Sequence, residues 1–182
     1  AFDLLDGIAA GLEAMHAVGV GHLDVKPSNI IVRDPDGLAG PDLPDAPVLV
    51  DFGLAGRKMR PGCGTAEYGA PEIWGLLGPG PHAAPPADVY AFACLAFELL
   101  TGHTLFEGPN EVTLITQHIS HDGVPEGVAA LAKDPRCARL AQVLGAALRR
   151  DPKMRASMTA IRQALATVRP ELDWLEWPLP SS

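Results

Sequence analysis

The chain has 182 residues and a net charge of −8 at neutral pH. A chain of this length buries roughly 70% of the surface that its unfolded form exposes, enough for one domain with a substantial core. The negative charge disfavours a non-specific electrostatic grip on nucleic acid or on anionic lipid. The composition therefore predicts one acidic globular domain that does not bind nucleic acid.

The cysteines and the apolar runs bear on location. Cys63, Cys94 and Cys137 are odd in number and widely spaced, unlike a disulfide framework or a zinc site. No apolar run reaches the roughly 18 residues of a membrane span, and the first residues do not resemble a signal peptide. We expect a cytoplasmic protein with no membrane segment among these residues. A membrane anchor outside this segment is compatible with that expectation.

The first half of the chain predicts one helix and two short strands. Apolar residues recur every three or four positions over 2–18, which is typical of an amphipathic helix. This pattern is under way from the first residues and no Met precedes it, so we expect the chain to belong to a longer protein. Apolar runs at 30–32 and 48–50 predict strands joined by a Pro-, Gly- and Asp-rich loop over 33–47.

The second half predicts mainly helices. A polar, Gly-containing segment over 54–68 and a Pro- and Gly-rich stretch through Pro86 predict little regular structure. Residues 87–100 are apolar on nearly every face, which indicates a helix buried all round. Further helices are predicted at about 111–119, 136–149 and 157–167. The end of the chain is either a packing segment or the start of a linker.

Two short runs place the residue types of phosphoryl transfer on neighbouring loops. The sequence from His22 to Asn29 contains Asp24, Lys26 and Asn29, and a second acid follows in Asp51-Phe52-Gly53. A carboxylate can accept a hydroxyl proton, an ammonium group can neutralise a phosphate, and amide and carboxylate oxygens can bind magnesium. Each residue alone would be interpreted as a turn former or a helix cap.

These runs resemble the carboxy-terminal catalytic lobe of protein kinases, and the resemblance covers most of the chain. Its landmarks, in family order, are the catalytic loop His22 to Asn29, the metal-binding turn Asp51 to Gly53, the segment Gly64 to Glu72, Asp88-Val89-Tyr90, Phe97 to Gly102, and Asp151 to Arg155. One such string is weak, but six in family order are specific. The resemblance implies a protein-kinase-like, mainly α lobe over 1–169 with a small β element at the catalytic and metal-binding loops. A Pro-rich tail or linker would occupy 170–182, and the amino-terminal β-rich lobe is absent.

The same resemblance implies a role for each site residue. Asp24 would accept or orient the proton of the attacking hydroxyl, with Lys26 and Thr65 as its catalytic partners. Asn29 and Asp51 would hold Mg²⁺. The residues assigned to the bound ATP are Lys26, Ser28, Asn29, Ile31 and Asp51. Lys26, two places after the acid, is the pattern of serine/threonine kinases, and the plain landmarks resemble bacterial members.

The resemblance also implies three architectural contacts. Asp88 would accept backbone N–H groups of the catalytic loop, and His22 would stack on Phe52 in an internal spine. Glu72 would pair with Arg155 inside the lobe. Together these contacts would hold the catalytic loop on the core.

Two features depart from the family pattern. Leu23 stands where many kinases have an arginine that receives a phosphorylated loop residue, and no hydroxyl residue lies between Leu54 and Gly64. We therefore expect activity without loop phosphorylation. No Gly-rich phosphate loop is present and no lysine precedes the catalytic loop, so we expect an amino-terminal lobe as a partner and little ATP binding by this piece alone.

The residues leave two alternatives to a protein kinase open. A pseudokinase or scaffold lobe would bind partners without chemistry, although it has no chemical reason to keep Asp24, Lys26, Asn29 and Asp51. A small-molecule phosphotransferase also uses an H-x-D loop, but Lys26 and Ala70-Pro71-Glu72 belong to the protein-substrate apparatus.

Two other residues, His118 and His121, are one helical turn apart; we expect exposed side chains there rather than metal ligands.

Overall fold

The computed structural model describes residues 1–32, 47–56, 59, 62–75 and 84–179. Six α-helices lie in these ranges: α1 (Phe2–Ala17), α2 (Ala84–Thr101), α3 (Glu111–Ile119), α4 (Glu126–Leu131), α5 (Ala138–Ala147) and α6 (Met158–Val168). Short 3₁₀ turns span Pro27–Asn29, Pro71–Trp74 and Arg169–Glu171. Within the described ranges, none of the helices is long and apolar enough to cross a bilayer.

Helix α2 forms the centre of the lobe. Tyr90, Phe92 and Leu95 are fully buried, and burial continues round the helix, as its uniformly apolar sequence predicts. The helix includes Pro85 and Pro86 and therefore starts earlier than predicted. Proline is tolerated in a first turn because the first backbone N–H groups have no partner within the helix.

The other helices pack around this centre. Helix α1 contacts α2 and α6, while α5 contacts α2, α4 and α6. The starts of α3 and α6 match the sequence because Asn110 and Ser157 cap them, each accepting a backbone N–H three residues on. Helix α4 was not predicted, since its six residues include Gly127 and are too short for a periodic pattern.

A small antiparallel sheet carries the two sequence runs that matter for function. Strand β1 (Ile30–Ile31) pairs with β2 (Val48–Leu49), with Ile30 opposite Leu49. Each strand is one residue shorter than predicted. The predicted loop between them lies outside the described residues except for Pro47, as do parts of the segments predicted around 57–61 and 76–83. The sheet confirms the predicted small β element in a mainly α fold.

The end of the chain packs on the lobe as far as Leu179. Leu172 is buried, the Trp177 ring meets Phe2 edge to face at 5.7 Å, and Leu179 N–H donates to Leu100 O at 2.9 Å. The described part of the tail is therefore a packing segment. The boundary between 169 and 170 stays a prediction.

The prediction of exposed side chains at His118 and His121 is wrong. His118 is fully buried and His121 is half-buried, because the rings turn inward from the end of α3 towards Tyr90. His118 lies in the last turn of α3 and His121 just beyond the helix, and a spacing of three residues does not tell which surfaces other segments cover. Across the part of the chain that the structure describes, no cluster of three His, Cys, Asp or Glu side chains could hold a metal ion.

Candidate active site

The catalytic loop is held on the core by alternate residues. Leu23 and Val25 are buried, whereas Asp24 and Lys26 between and after them are partly exposed on the opposite side. Pro27 then starts a 3₁₀ turn in which Asn29 N–H donates to Lys26 O at 3.0 Å. This turn brings the Asn29 side chain back beside Asp24.

Four predicted residues form one hydrogen-bonded cluster around the Asp24 carboxylate. Lys26 Nζ lies 2.8 Å from Asp24 Oδ2, and the Thr65 hydroxyl donates to Asp24 Oδ1 at 2.9 Å. Lys26 Nζ also donates to Thr65 Oγ1 at 3.0 Å. Asn29 Nδ2 donates to Asp24 Oδ2 at 3.0 Å and to its backbone carbonyl at 2.9 Å. We refer to Asp24, Lys26, Asn29 and Thr65 as the Asp24 cluster.

The electrostatics of the Asp24 cluster keep the carboxylate ionised. Partial burial raises the pKa of Asp24, but hydrogen bonds from Lys26 and Thr65 and the charge of Lys26 outweigh burial. The pKa therefore lies below its ordinary value of 3.8. At neutral pH the group is a proton acceptor fixed in one orientation.

The second acid is connected to this cluster through the backbone of the sheet. Asn29 O accepts Val50 N–H at 2.9 Å, and the buried His22 ring donates from Nε2 to Val50 O at 3.0 Å. Val50 is thus held from both sides, and Asp51 follows it with φ of 61°. The exposed Asp51 carboxylate accepts Gly53 N–H at 3.2 Å.

The donor set at this edge fits a hard divalent cation. Both Asn29 Nδ2 contacts go to Asp24, so the amide oxygen is turned away from that contact. An amide oxygen and the exposed Asp51 carboxylate are oxygen ligands of the kind that Mg²⁺ prefers. Magnesium commonly takes only one or two protein carboxylates and completes its shell with water and phosphate, so a larger acidic cluster is not needed.

The two residues assigned to the nucleotide alone are accessible. Ser28 is exposed in the 3₁₀ turn, and Ile31 on β1 is 52% exposed. Phe52 contacts His22 with ring centroids 5.3 Å apart, as the resemblance implies, but it is 55% exposed rather than internal. Ile31 and Phe52 thus leave apolar surface exposed on β1 and directly after Asp51.

Asp88 anchors the catalytic loop from helix α2, as predicted. Its buried carboxylate accepts His22 N–H at 2.8 Å and Leu23 N–H at 2.7 Å. A third donor, His16 Nε2 at 2.8 Å, was not predicted. His16 lies at the end of α1, and no local signal in the sequence links it to a residue 72 positions later. Leu23 has φ of 67°, a strained conformation that these two backbone bonds hold in place.

The predicted ion pair between Glu72 and Arg155 is present and fully buried. Arg155 Nη1 and Nη2 donate to the two Glu72 oxygens at 2.7 and 3.1 Å, and both side chains are 0% exposed. The remaining guanidinium protons go to the carbonyls of Pro86, Arg149 and Arg150. Sequence reasoning also missed the hydrogen bond that Tyr68 OH donates to Glu98 Oε2 on helix α2, at 2.6 Å.

Comparison with known families identifies the class of protein. The family model described as "Protein kinase domain" matches residues 2–165. The chain belongs to the protein kinase family. The solved structure of Rad53 in complex with AMP-PNP is similar to it, with a TM-score of 0.64, 26% identity, and coverage of 88% of this chain and 38% of that one.

Individual relatives are bacterial serine/threonine-protein kinases. PkaB of Streptomyces coelicolor is 37% identical over 171 residues, covering 85% of this chain and 40% of the relative. PknF of Mycobacterium tuberculosis is 36% identical over 170 residues, covering 79% of this chain and 34% of the relative. The chain therefore spans well under half the length of these relatives.

Proposed function

We propose that this chain is the catalytic lobe of a serine/threonine protein kinase, which transfers the γ-phosphate of ATP to a hydroxyl group of a protein. The observation that carries the proposal is the Asp24 cluster, in which an ionised acid, a lysine, an amide and a threonine lie within 2.8 to 3.0 Å contacts. The bacterial serine/threonine kinases similar to the chain support the same class of reaction.

Each residue of the cluster has a separate task. Asp24 accepts or orients the proton of the attacking hydroxyl, since it is ionised and partly exposed. Lys26 offers a positive charge 2.8 Å from that acid, where charge develops on the transferred phosphoryl group. Thr65 holds both side chains in register through its hydroxyl.

Asn29 and Asp51 are the proposed magnesium ligands. When bound, the ion would neutralise negative charge on the phosphate groups. The chain's contribution is to orient the two ligands. Asp24 accepts a hydrogen bond from the Asn29 amide and so fixes its direction. The His22 ring donates to the Val50 carbonyl and so fixes the backbone just before Asp51. Ser28 and the exposed Ile31 are proposed to face the nucleotide.

We further propose that ATP binding requires an amino-terminal lobe. The exposed Ile31 and Phe52 offer one wall of a cleft, and an apolar wall needs a second surface to desolvate a purine. We expect no measurable ATP affinity at micromolar concentration for the 182 residues alone; a magnesium-dependent ATP binding isotherm would contradict this.

Phosphorylation of the loop is not required in this proposal. Leu23 is buried against the core with its N–H on Asp88, so position 23 supplies no guanidinium beside Asp24 to receive a phosphate. A phosphosite between Leu54 and Gly64 that raises turnover, found by mass spectrometry, would refute the idea.

A cytoplasmic location also stays a prediction; the three free cysteines are compatible with it.

Phosphate transfer tests the proposed function directly. The chain, extended upstream to include an amino-terminal lobe, is given radiolabelled ATP and a generic protein substrate. We expect labelled phosphoserine or phosphothreonine, lost in Asp51→Asn and kept in Asp173→Asn, which removes an exposed carboxylate of the tail. A folded protein without transfer would favour a pseudokinase, and transfer only to small molecules would favour the phosphotransferase alternative.

A further inference from the structure

A buried polar network links helix α2 to the end of helix α3, and none of its side chains belongs to the Asp24 cluster. It contains Tyr90 and the two histidines at the end of α3, His118 and His121. Phe106 covers both imidazole rings, with ring centroids 4.2 and 5.5 Å away. We call Tyr90, His118 and His121 the histidine–tyrosine bridge.

The two ends of the bridge determine where its protons lie. Gly123 N–H donates to His121 Nδ1 at 3.1 Å, so this nitrogen must be without a proton. At the other end His118 Nε2 lies 2.8 Å from Ala66 O, which can only accept, so that nitrogen must carry the proton.

The Tyr90 hydroxyl completes a chain of bonds that runs in one direction. The neutral His121 ring donates from Nε2 to Tyr90 OH at 3.0 Å, and Tyr90 OH donates to His118 Nδ1 at 2.9 Å. Every polar atom of the three side chains is thereby satisfied with both imidazoles neutral. An added proton on His121 Nδ1 would face the Gly123 N–H, and one on His118 Nδ1 would face the tyrosine hydroxyl proton.

The surroundings favour this neutral arrangement. Burial lowers the pKa of His118 and of His121 to about 4 each. The charged and titratable groups that act on the bridge are Arg155, 5.0 Å over the Tyr90 ring, together with Glu72, Cys94, Asp122 and Arg150. The bridge therefore stays in one hydrogen-bonding state throughout the neutral range.

The bridge ends beside the active site. Ala66, whose carbonyl it holds, follows Thr65, whose hydroxyl contacts Asp24 and Lys26. The Thr65 carbonyl accepts the N–H groups of Tyr68 and Gly69 at 3.1 and 2.9 Å, which closes a tight turn. Without the hydrogen bond from His118 to the Ala66 carbonyl, this turn would lose its attachment to α3.

We propose that the histidine–tyrosine bridge is a positioning device that holds the Thr65 hydroxyl on Asp24 by tying the turn after Thr65 to helix α2 and the end of helix α3. Its three residues do not touch the reacting groups and act only through Ala66. The effect on turnover rests on the proposed kinase function, whereas the effect on the Thr65 turn does not.

Amide hydrogen exchange of the 182-residue chain tests the structural part. We expect Tyr90→Phe to speed exchange at Tyr68 and Gly69 by about tenfold or more, because it leaves buried groups unpaired. Exchange in α6 should be unchanged, and the matched hydroxyl deletion Thr116→Val, on the exposed face of α3, should leave both regions as in the wild type. Unchanged exchange at Tyr68 and Gly69 in a folded Tyr90→Phe protein would overturn the proposal.

Two further measurements keep the proposal testable if a variant unfolds. In the wild type, ring-nitrogen NMR at pH 7 should show His118 and His121 neutral with the proton on Nε2; another tautomer or an imidazolium at either ring overturns it. His118→Gln, which can still donate to Ala66 O, should keep the slow exchange that His118→Leu loses, and equal exchange in the two variants counts against the bridge.

A kinetic arm separates the two proposals. In the upstream-extended protein, Tyr90→Phe should lower kcat several-fold and leave the KM for ATP unchanged. A raised KM with unchanged kcat would contradict the positioning role. An inactive wild-type protein would contradict the kinase proposal, while the exchange and NMR results would still decide on the bridge.

Discussion

Two acid–base pairs in this lobe have similar contacts but different surroundings. Asp24 and Lys26 lie 2.8 Å apart with side chains that are 16% and 25% exposed, whereas Glu72 and Arg155 are 2.7 Å apart and 0% exposed. The remaining N–H groups of Arg155 donate hydrogen bonds to backbone carbonyls. The first pair keeps contact with solvent, and the second is closed on all sides.

This difference separates chemistry from architecture. A reacting acid must be reachable by substrate and must change partners during the reaction, so it is held by a few neighbours and left accessible. A fully buried pair cannot change partners without leaving a charge unpaired at a cost of several kcal/mol, so it holds two segments together. Residue type alone does not distinguish the two cases.

The largest expected effect is on turnover, from the accessible pair. In the extended protein, Asp24→Asn should lower kcat by about 10²- to 10⁴-fold, the usual contribution of a general acid or base. The protein should stay folded by circular dichroism, because Asn can still accept the Thr65 hydroxyl. Turnover within a factor of a few of the wild type would remove Asp24 from the proposed mechanism.

The closed pair should show the opposite behaviour. Glu72→Gln leaves the buried Arg155 guanidinium without its counter-charge, so we expect the free energy of unfolding to fall by about 3 to 5 kcal/mol. Urea denaturation of the 182-residue chain measures this. A loss under about 1 kcal/mol would mean that the buried pair behaves like a surface pair.

As the pH falls, His118 in the histidine–tyrosine bridge should take up a proton before the Asp24 carboxylate does. The pKa of His118 is about 4 in the fold against an ordinary 6.5, so its stabilising effect is complete above pH 6.5 and is lost as the pH falls towards 4. By pH 5 the free energy of unfolding should drop by on the order of 2 kcal/mol from this residue.

Urea denaturation at pH 7, 6 and 5 checks this dependence, with His118→Gln expected to lose less stability over the interval. The pKa of Asp24 lies below 3.8, so its stabilising contribution is kept at pH 5 and lost only as the pH falls through that lower pKa. A flat profile between pH 7 and 5 would contradict the neutral burial of His118.

The smallest effect is expected from an open surface pair. Arg139 contacts Glu171, with side chains 52% and 50% exposed. Glu171→Gln should change the free energy of unfolding by less than about 1 kcal/mol, because exposed charges are screened by water and salt. It is the matched control for Glu72→Gln, and an equal loss in both would erase the contrast between closed and open pairs.

Local patterns predicted much of this lobe. The bounds of α3 follow from periodicity and an Asn cap, and the all-round burial of α2 follows from its apolar sequence. Helix α4 escaped because six residues are too few for a period to show. The grouping of Asp24, Lys26 and Asn29 could be predicted because they are close in sequence, and the family resemblance added Thr65 to them.

Long-range pairings divide into two kinds. Those that follow a family pattern, such as Asp88 on the catalytic loop, could be predicted by resemblance. The His16 contact with Asp88 and the inward rings at His118 and His121 could not, because no spacing in the sequence records which surfaces meet. The same limit applies to Phe52, which the resemblance placed in the interior and which is 55% exposed.

The sequence by itself determined the class of fold and the identity of the reactive groups, because turn residues, helical periods and short motifs act over a few neighbouring positions. Only the tertiary structure decided which ion pairs are fully buried, which remain accessible to solvent, and which histidines are neutral. Those properties depend on the solvent and partners around each side chain, and distant segments supply them when they pack.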